Sequence, residues 1–243
     1  MTGRFLLGYD EPSGRALYLG VFHAISAFNN AGFALWPDNL MRFVTDPWIC
    51  LTIAAAVIAG GLGFPVVLEL LRTWRRPSRW SVLTRITVAV TAALLVIGIM
   101  VFLITEWHNP KTLGRLDDPG KLLAAFFAAV MPRTAGFNSI DVAGTYSTSW
   151  LATDLLMFIG GGSRGTAGGI KVTTPGMPAF VVWSDGTVGL STGITADTTP
   201  AGQILLVLLM FIGRTGPLTL GSALALKDRT RRYQVAEERV IVG

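Results

Sequence analysis

Nineteen consecutive residues, Ile86 to Ile104, carry no charged side chain. An apolar run of that length matches the roughly 20 residues a helix needs to cross the hydrocarbon core of a bilayer. Lipid, not water, is therefore the expected solvent for much of the chain. Trp48 to Leu71 reads as a second full span, interrupted only by Glu69. Composition agrees, since 51% of the residues are hydrophobic and only 14% charged, outside the usual range for a soluble domain. The 20 Lys+Arg against 15 Asp+Glu cluster between apolar runs, so the basic balance points to membrane lipid and not to nucleic acid. "RTWRRPSRW" packs Arg72, Arg75, Arg76 and Arg79 between the two spans. The positive-inside rule assigns that loop to the cytoplasm and the mixed-sign loop Glu106 to Lys121 to the outside.

Shorter apolar pieces, Ala16 to Phe28, Leu122 to Met131 and Phe180 to Trp183, suit re-entrant segments better than crossings. Trp150 to Thr174 and Gln203 to Leu226 are long enough to span but are broken by glycine-rich or charged residues. Broken helices at membrane depth are tolerated only where they face protein or a watery cavity. Both should run inward, because the tail with Lys227, Arg229, Arg231 and Arg232 reads as cytoplasmic. No outward span lies between them, which points to an internal loss.

The glycine-rich stretch Met157 to Thr174 contains Gly160, Gly162 and Gly165 in the order G-x-G-x-x-G, with Asp185 twenty residues on. A dinucleotide site needs a strand before those glycines and alternating strands and helices around them, and the surrounding spans exclude that. A Walker loop is excluded because Ile170, not glycine, precedes Lys171. Small residues with free backbone groups partway along a span instead make a flexible plug beside a wet cavity. No catalytic triad, paired carboxylates or metal cluster is present in the pattern, so no enzyme is expected.

Three segments align with one another: "FHAISAFNNAGFAL" (Phe22–Leu35), "FFAAVMPRTAGFNSI" (Phe126–Ile140) and "WSDGTVGLSTGI" (Trp183–Ile194). Each centres on polar-small-Gly-apolar: Asn30-Ala31-Gly32-Phe33, Thr134-Ala135-Gly136-Phe137 and Thr187-Val188-Gly189-Leu190. The first two follow a short apolar helix, and every copy precedes an inward segment. A glycine in an extended turn lets backbone carbonyls replace the water shell of a dehydrated cation. One such glycine is an ordinary loop residue; three at equivalent places form a filter.

With those motifs in view, the chain resembles the Trk/Ktr/HKT superfamily of potassium transporters, in particular the bacterial Ktr/Trk membrane subunit. "SAFNNAGF", "PRTAGFNSID" and "GTVGLSTGIT" resemble the second, third and fourth pore loops, and "GGGSRGTAGGIKVTT" and "FIGRTGPLTL" the inner helices of the third and fourth repeats. The resemblance implies an all-α membrane protein of membrane helix–re-entrant pore helix–membrane helix units, truncated from a four-repeat architecture. Residues 1–80 then hold part of repeat two, 81–176 repeat three and 177–243 part of repeat four. It implies a K⁺ filter at Asn30, Ala31, Gly32, Phe33, Thr134, Ala135, Gly136, Phe137, Thr187, Val188, Gly189 and Leu190. It further implies a gate at Gly160, Gly161, Gly162, Ser163, Gly165, Thr166, Ala167, Gly168, Gly169 and Arg214, with K⁺ as transported ion and no cofactor. A homodimer, a cytosolic nucleotide-binding regulatory subunit and a multi-pass location in the plasma membrane are implied as well. Because three of four filter strands are present, two readings stay open: potassium transport, or a non-transporting membrane protein that binds partners.

Among smaller signals, His23 is expected to pack behind the first pore loop, and Cys50 to face lipid or fill the core. Glu69 is expected to pair with nearby arginines or to be solvated. Trp36, Trp48, Trp74, Trp80, Trp107 and Trp150 should mark headgroup depth. Asp38, Asp46, Asp117, Asp118 and Asp141 lie outside, either as solvated loop carboxylates or as a cation-gathering mouth.

Overall fold

The computed structural model describes residues 1–133 and 135–158. Seven α-helices make up its regular structure: α1 Thr2–Gly8, α2 Ser13–Phe28, α3 Pro47–Leu62, α4 Phe64–Thr73, α5 Val82–Glu106, α6 Asp118–Val130 and α7 Ser147–Phe158. The order is that expected of two successive pore units. A short helix, α2 or α6, leads into a glycine loop, and a further helix, α3 or α7, follows each loop.

Local chemistry sets the boundaries. Asp46 caps α3 by accepting hydrogen bonds from the backbone N–H of Trp48 at 3.0 Å and of Ile49 at 3.3 Å, with Pro47 in the first turn. Ser81 Oγ caps α5 by accepting from Thr84 N at 3.3 Å, and Asp117 caps α6 by accepting from Gly120 N at 3.2 Å.

The expected span Trp48 to Leu71 is not one helix. α3 stops at Gly63, whose φ is 89°, and α4 leaves at 107° to it. Pro65 gives the reason: without an N–H, and with a ring that collides with the carbonyl four residues back, it cannot continue α3. Gly63 supplies the left-handed φ that the turn requires. The break is invisible to hydropathy because both sides of it are apolar.

α5 matches the expected span Ile86 to Ile104 and alone among the described helices is long and apolar enough to cross a bilayer without a break. Its buried side mixes Thr84, Thr87, Thr91, Gly98 and Glu106 with Leu94 and Phe102, while its exposed side carries the apolar Ile86, Val96, Ile97, Met100 and Ile104. Such a helix is built for a lipid surround, with small and polar residues at helix contacts. At Gly98 a side chain would meet Ala129 Cβ of α6 at 3.0 Å and Leu156 Cδ1 of α7 at 3.2 Å, so this glycine sets how closely the three helices approach.

The main core forms where α3 lays Ile49, Cys50, Ile53, Ala54 and Val57 against Ala16, Leu19 and Ala27 of α2 and Phe127 and Val130 of α6. The i, i+1, i+4, i+5, i+8 spacing on α3 is one helical stripe. Cys50 is core filler, its thiol donating to the Phe43 carbonyl at 3.2 Å.

Candidate functional site

The two described glycine loops meet. Gly32 (φ 74°) and Gly136 (φ 73°) share the left-handed conformation, and a side chain on Gly32 would lie 2.6 Å from both the Ala135 carbonyl oxygen and Gly136 Cα. The loops therefore touch backbone to backbone, and only glycine permits that approach. Beyond the glycines the loops stay joined, since Leu40 N donates to the Asn138 carbonyl at 3.0 Å and Asn138 N to Asn39 Oδ1 at 3.4 Å.

Each loop is also tied to the helix before it. In the first, Ala31 N donates to the Ser26 carbonyl at 2.9 Å and Ser26 Oγ donates to the Phe33 carbonyl at 2.9 Å. Asn30 is buried at φ 49°, a conformation asparagine tolerates better than most residues. Its amide, turned so that the NH₂ faces inward, donates to the carbonyls of Ala27 and Val57, each at 3.2 Å. In the second loop Ala135 N donates to the Met131 carbonyl at 3.0 Å, and Ala135, Gly136 and Phe137 are buried. Phe33, by contrast, is exposed.

Of the predicted filter residues, the structure sets Gly32 against Ala135 and Gly136, while Asn30, Ala31 and Phe33 are tied to their own loop and its neighbouring helices. Thr134 and Thr187, Val188, Gly189 and Leu190 lie outside the described residues. So do the predicted gate residues Gly160, Gly161, Gly162, Ser163, Gly165, Thr166, Ala167, Gly168, Gly169 and Arg214.

Two buried charged residues, Arg133 within the third pore-loop motif and Glu106 at the end of α5, have no role assigned from the sequence. Arg133, next to Thr134, is only 6% exposed; its Nη2 donates to Thr91 Oγ1 of α5 at 3.1 Å, and it lines a recess with Asn30, Val57, Ile58, Gly61 and Val130. Glu106, fully buried at the C-terminal end of α5, accepts from Asn109 Nδ2 and Thr112 Oγ1, each at 2.6 Å, from Tyr146 N at 2.8 Å, and from Ser149 Oγ. Four neutral donors thus hold a buried carboxylate and clamp the start of α7 to α5. The sequence signal was a carboxylate at a span's last turn followed by small hydrogen-bond donors.

His23 packs as expected: it is buried, donates through Nδ1 to the Leu19 carbonyl at 2.7 Å, and stacks on Trp36 with ring centroids 4.8 Å apart. Trp36 therefore belongs to a packed aromatic group with Phe5 and Phe43. The aspartates expected on the outer side are engaged locally. Asp38 pairs with Arg42 at 2.6 Å, Asp46 with Arg4 at 2.7 Å and Asp118 with Lys121 at 3.3 Å. Asp117 caps α6, and Asp141 accepts from Ala143 N. Burial opposes ionisation of Asp46, but hydrogen bonds from Arg4 and Tyr9 outweigh it and hold the carboxylate below its ordinary 3.8. Burial, followed by the bond to Asp46, pushes the Tyr9 phenol up to about 12. Glu69, expected to pair with arginine, is instead hydrogen-bonded by Ser81 N at 2.6 Å, Ser81 Oγ at 2.7 Å and Thr84 Oγ1 at 2.6 Å, because the α5 N-terminus offers a nearer set of donors.

Comparison with known proteins bears on what these loops serve. Residues 7–175 match the family model described as TrkH, cation transport protein. The chain is 36% identical to Ktr system potassium uptake protein B of Bacillus subtilis over 96% of its own length and 65% of that protein's. It is 34% identical to the protein of the same description from Vibrio alginolyticus, over 93% of the chain and 63% of the relative. With the potassium/sodium uptake protein NtpJ of Enterococcus hirae it shares 31% identity over 94% and 65% of the two lengths. Among solved structures, the potassium transporter TrkH from Vibrio parahaemolyticus superposes with a TM-score of 0.47 at 18% identity, over 71% of this chain and 40% of that one. The chain spans just under two thirds of the first two of these relatives, 65% and 63%. The alignment with the Bacillus protein covers 294 positions, more than the 243 residues present here, so that relative holds residues inside the matched stretch that have no counterpart in this chain.

Proposed function

The chain belongs to the TrkH cation transport protein family, and from that premise we propose that it forms part of a potassium-conducting pore in the plasma membrane, with the glycine loops as filter walls. The observation that carries this is the contact between Gly32 and Gly136, two residues of equivalent position in the repeat that share one left-handed backbone conformation. Strands that approach so closely present backbone and not side chains to whatever passes, and a partly dehydrated cation is bound by backbone oxygens.

In this proposal Asn30 to Phe33, Thr134 to Phe137 and Thr187 to Leu190 supply filter strands. The Gly160 to Gly169 segment and Arg214 form the gate beneath. Two of the named relatives are potassium uptake proteins of a Ktr system, which supports K⁺ as the ion; the proposal also includes a homodimer and a cytosolic nucleotide-binding regulatory subunit. Arg133 adds a buried positive charge beside the third loop, braced by Thr91. It orients that loop.

One observation favours a second reading. The relative holds residues inside the matched stretch that this chain lacks, and the sequence reading finds no outward span between Trp150–Thr174 and Gln203–Leu226. A chain lacking that crossing would insert and associate without conducting. Expression in a bacterial strain deficient in potassium uptake separates the two. Growth at limiting potassium, abolished by Gly32→Val, supports conduction. Membrane insertion without growth, with or without the regulatory subunit of a Ktr system, supports the non-transporting reading.

A further inference from the structure

The hairpin between α4 and α5 is built unlike the rest of the described surface. From Phe64 to Thr87 the sequence holds one acid, Glu69, and five arginines: Arg72, Arg75, Arg76, Arg79 and Arg85. The acid's two oxygens take Ser81 N, Ser81 Oγ and Thr84 Oγ1 at the start of α5, and of the five arginines Arg85 alone is near enough for its charge to act on it. All five arginines are exposed, and among the described residues none makes an ion pair.

The loop that carries them is held in shape. Arg76 N donates to the Thr73 carbonyl at 2.8 Å, Trp80 Nε1 to the same carbonyl at 3.1 Å, and Arg85 Nη2 to the Ser78 carbonyl at 2.6 Å. Beside the charges runs an apolar stripe at helical spacing, Phe64, Leu68, Leu71 and Trp74, of which Phe64, Leu71 and Trp74 are 68%, 74% and 65% exposed. The Arg75 guanidinium lies 5.0 Å from the centre of the Trp74 ring. The 107° turn at Gly63 lays this helix across the direction of α3, so that if α3 is steep in the membrane, α4 lies along its surface.

An amphipathic helix in the interface plane with unpaired arginines at its rim matches one partner by both shape and charge. We propose that the α4–α5 hairpin is a docking site for anionic phospholipid of the cytoplasmic leaflet, with Phe64, Leu71 and Trp74 among the acyl chains and Arg72, Arg75, Arg76 and Arg79 on the phosphates. The 69–84 hydrogen bonds are what keep the arginines available: were Glu69 free, it would neutralise one of them. The site is separate from the glycine loops and does not depend on conduction.

The test is lipid retention by the full chain, purified in detergent with equal phosphatidylglycerol and phosphatidylcholine and read by native mass spectrometry. The intact chain should retain phosphatidylglycerol in preference. R75Q/R76Q/R79Q should reduce that preference by about fivefold or more, the matching triple lysine variant should keep most of it, and K111Q/R115Q, on the opposite loop, should leave it unchanged. L71S/W74S should lower retention of both lipids at this site. Equal retention of the two lipids, or an unchanged preference in the triple glutamine variant, overturns the proposal. Release of the bound lipid by excess inorganic phosphate assigns the arginines to a soluble anion and overturns it too. Arginine-dependent binding of a cytosolic regulatory subunit without lipid preference does the same.

Discussion

Phe33 and Phe137 hold the same place in two copies of one Ala-Gly-Phe motif, yet the first is 69% exposed and the second fully buried. The glycine itself turns alike in both, with φ of 74° and 73°. What differs is the surroundings. The second loop follows α6, which packs against the long span α5, and its phenylalanine joins Phe127, Met131 and Ala135 in the main core. The first loop follows α2, which is preceded by the short α1, and its phenylalanine has no such wall. Local sequence fixes the turn, and tertiary neighbours decide what the next side chain contributes. The anchors differ as well: the first unit is held by Asp46, ion-paired with Arg4, and the second by Glu106 among neutral donors.

The contrast is breakable in order of size. Phe137→Ala empties a fully buried site and should destabilise the detergent-solubilised chain by about 3–5 kcal/mol in denaturation midpoints. Gly32→Ala places a methyl group against backbone in a left-handed turn and should cost about 2–4 kcal/mol, because neither loop can move aside without the other. Glu106→Gln strips acceptors from buried donors and should cost about 1–3 kcal/mol, seen as faster hydrogen exchange at the start of α7 before that of α2.

Acid should act on the first unit through Asp46. The carboxylate of Asp46 is held below 3.8, so its stabilisation is complete above 3.8 and is lost as pH falls through the lower folded value. The Tm gap between the native chain and Asp46→Asn should therefore close in that window. Phe33→Ala is the smallest effect, within about 0.5 kcal/mol. A loss as large as that of Phe137→Ala would show that the exposed face of the first loop is covered in the membrane.

Much of this was legible beforehand. α2, α5 and α6 follow from apolar length alone, and the paired glycine turns from repetition. The break at Gly63 was not, because "GGLGFP" is apolar throughout and hydropathy is blind to a left-handed φ and a missing N–H. Glu69 and Glu106 were misread or missed for a common reason. Each is satisfied by hydroxyls and backbone amides from another turn of chain, and sequence shows opposite charges more readily than it shows donors. The caps and partners of the aspartates expected on the outer side were not legible, being set by local geometry, such as Asp38 with Arg42 one helical turn on.

The account rests on backbone oxygens of the two loops facing one cation. Anomalous diffraction from crystals of the full chain grown with rubidium in place of potassium measures that directly. The account predicts a rubidium peak bordered by carbonyl oxygens from residues 30–33 and 134–137, lost in Gly32→Ala. Ordered loops with no peak between them, or rubidium bound only elsewhere, would contradict it.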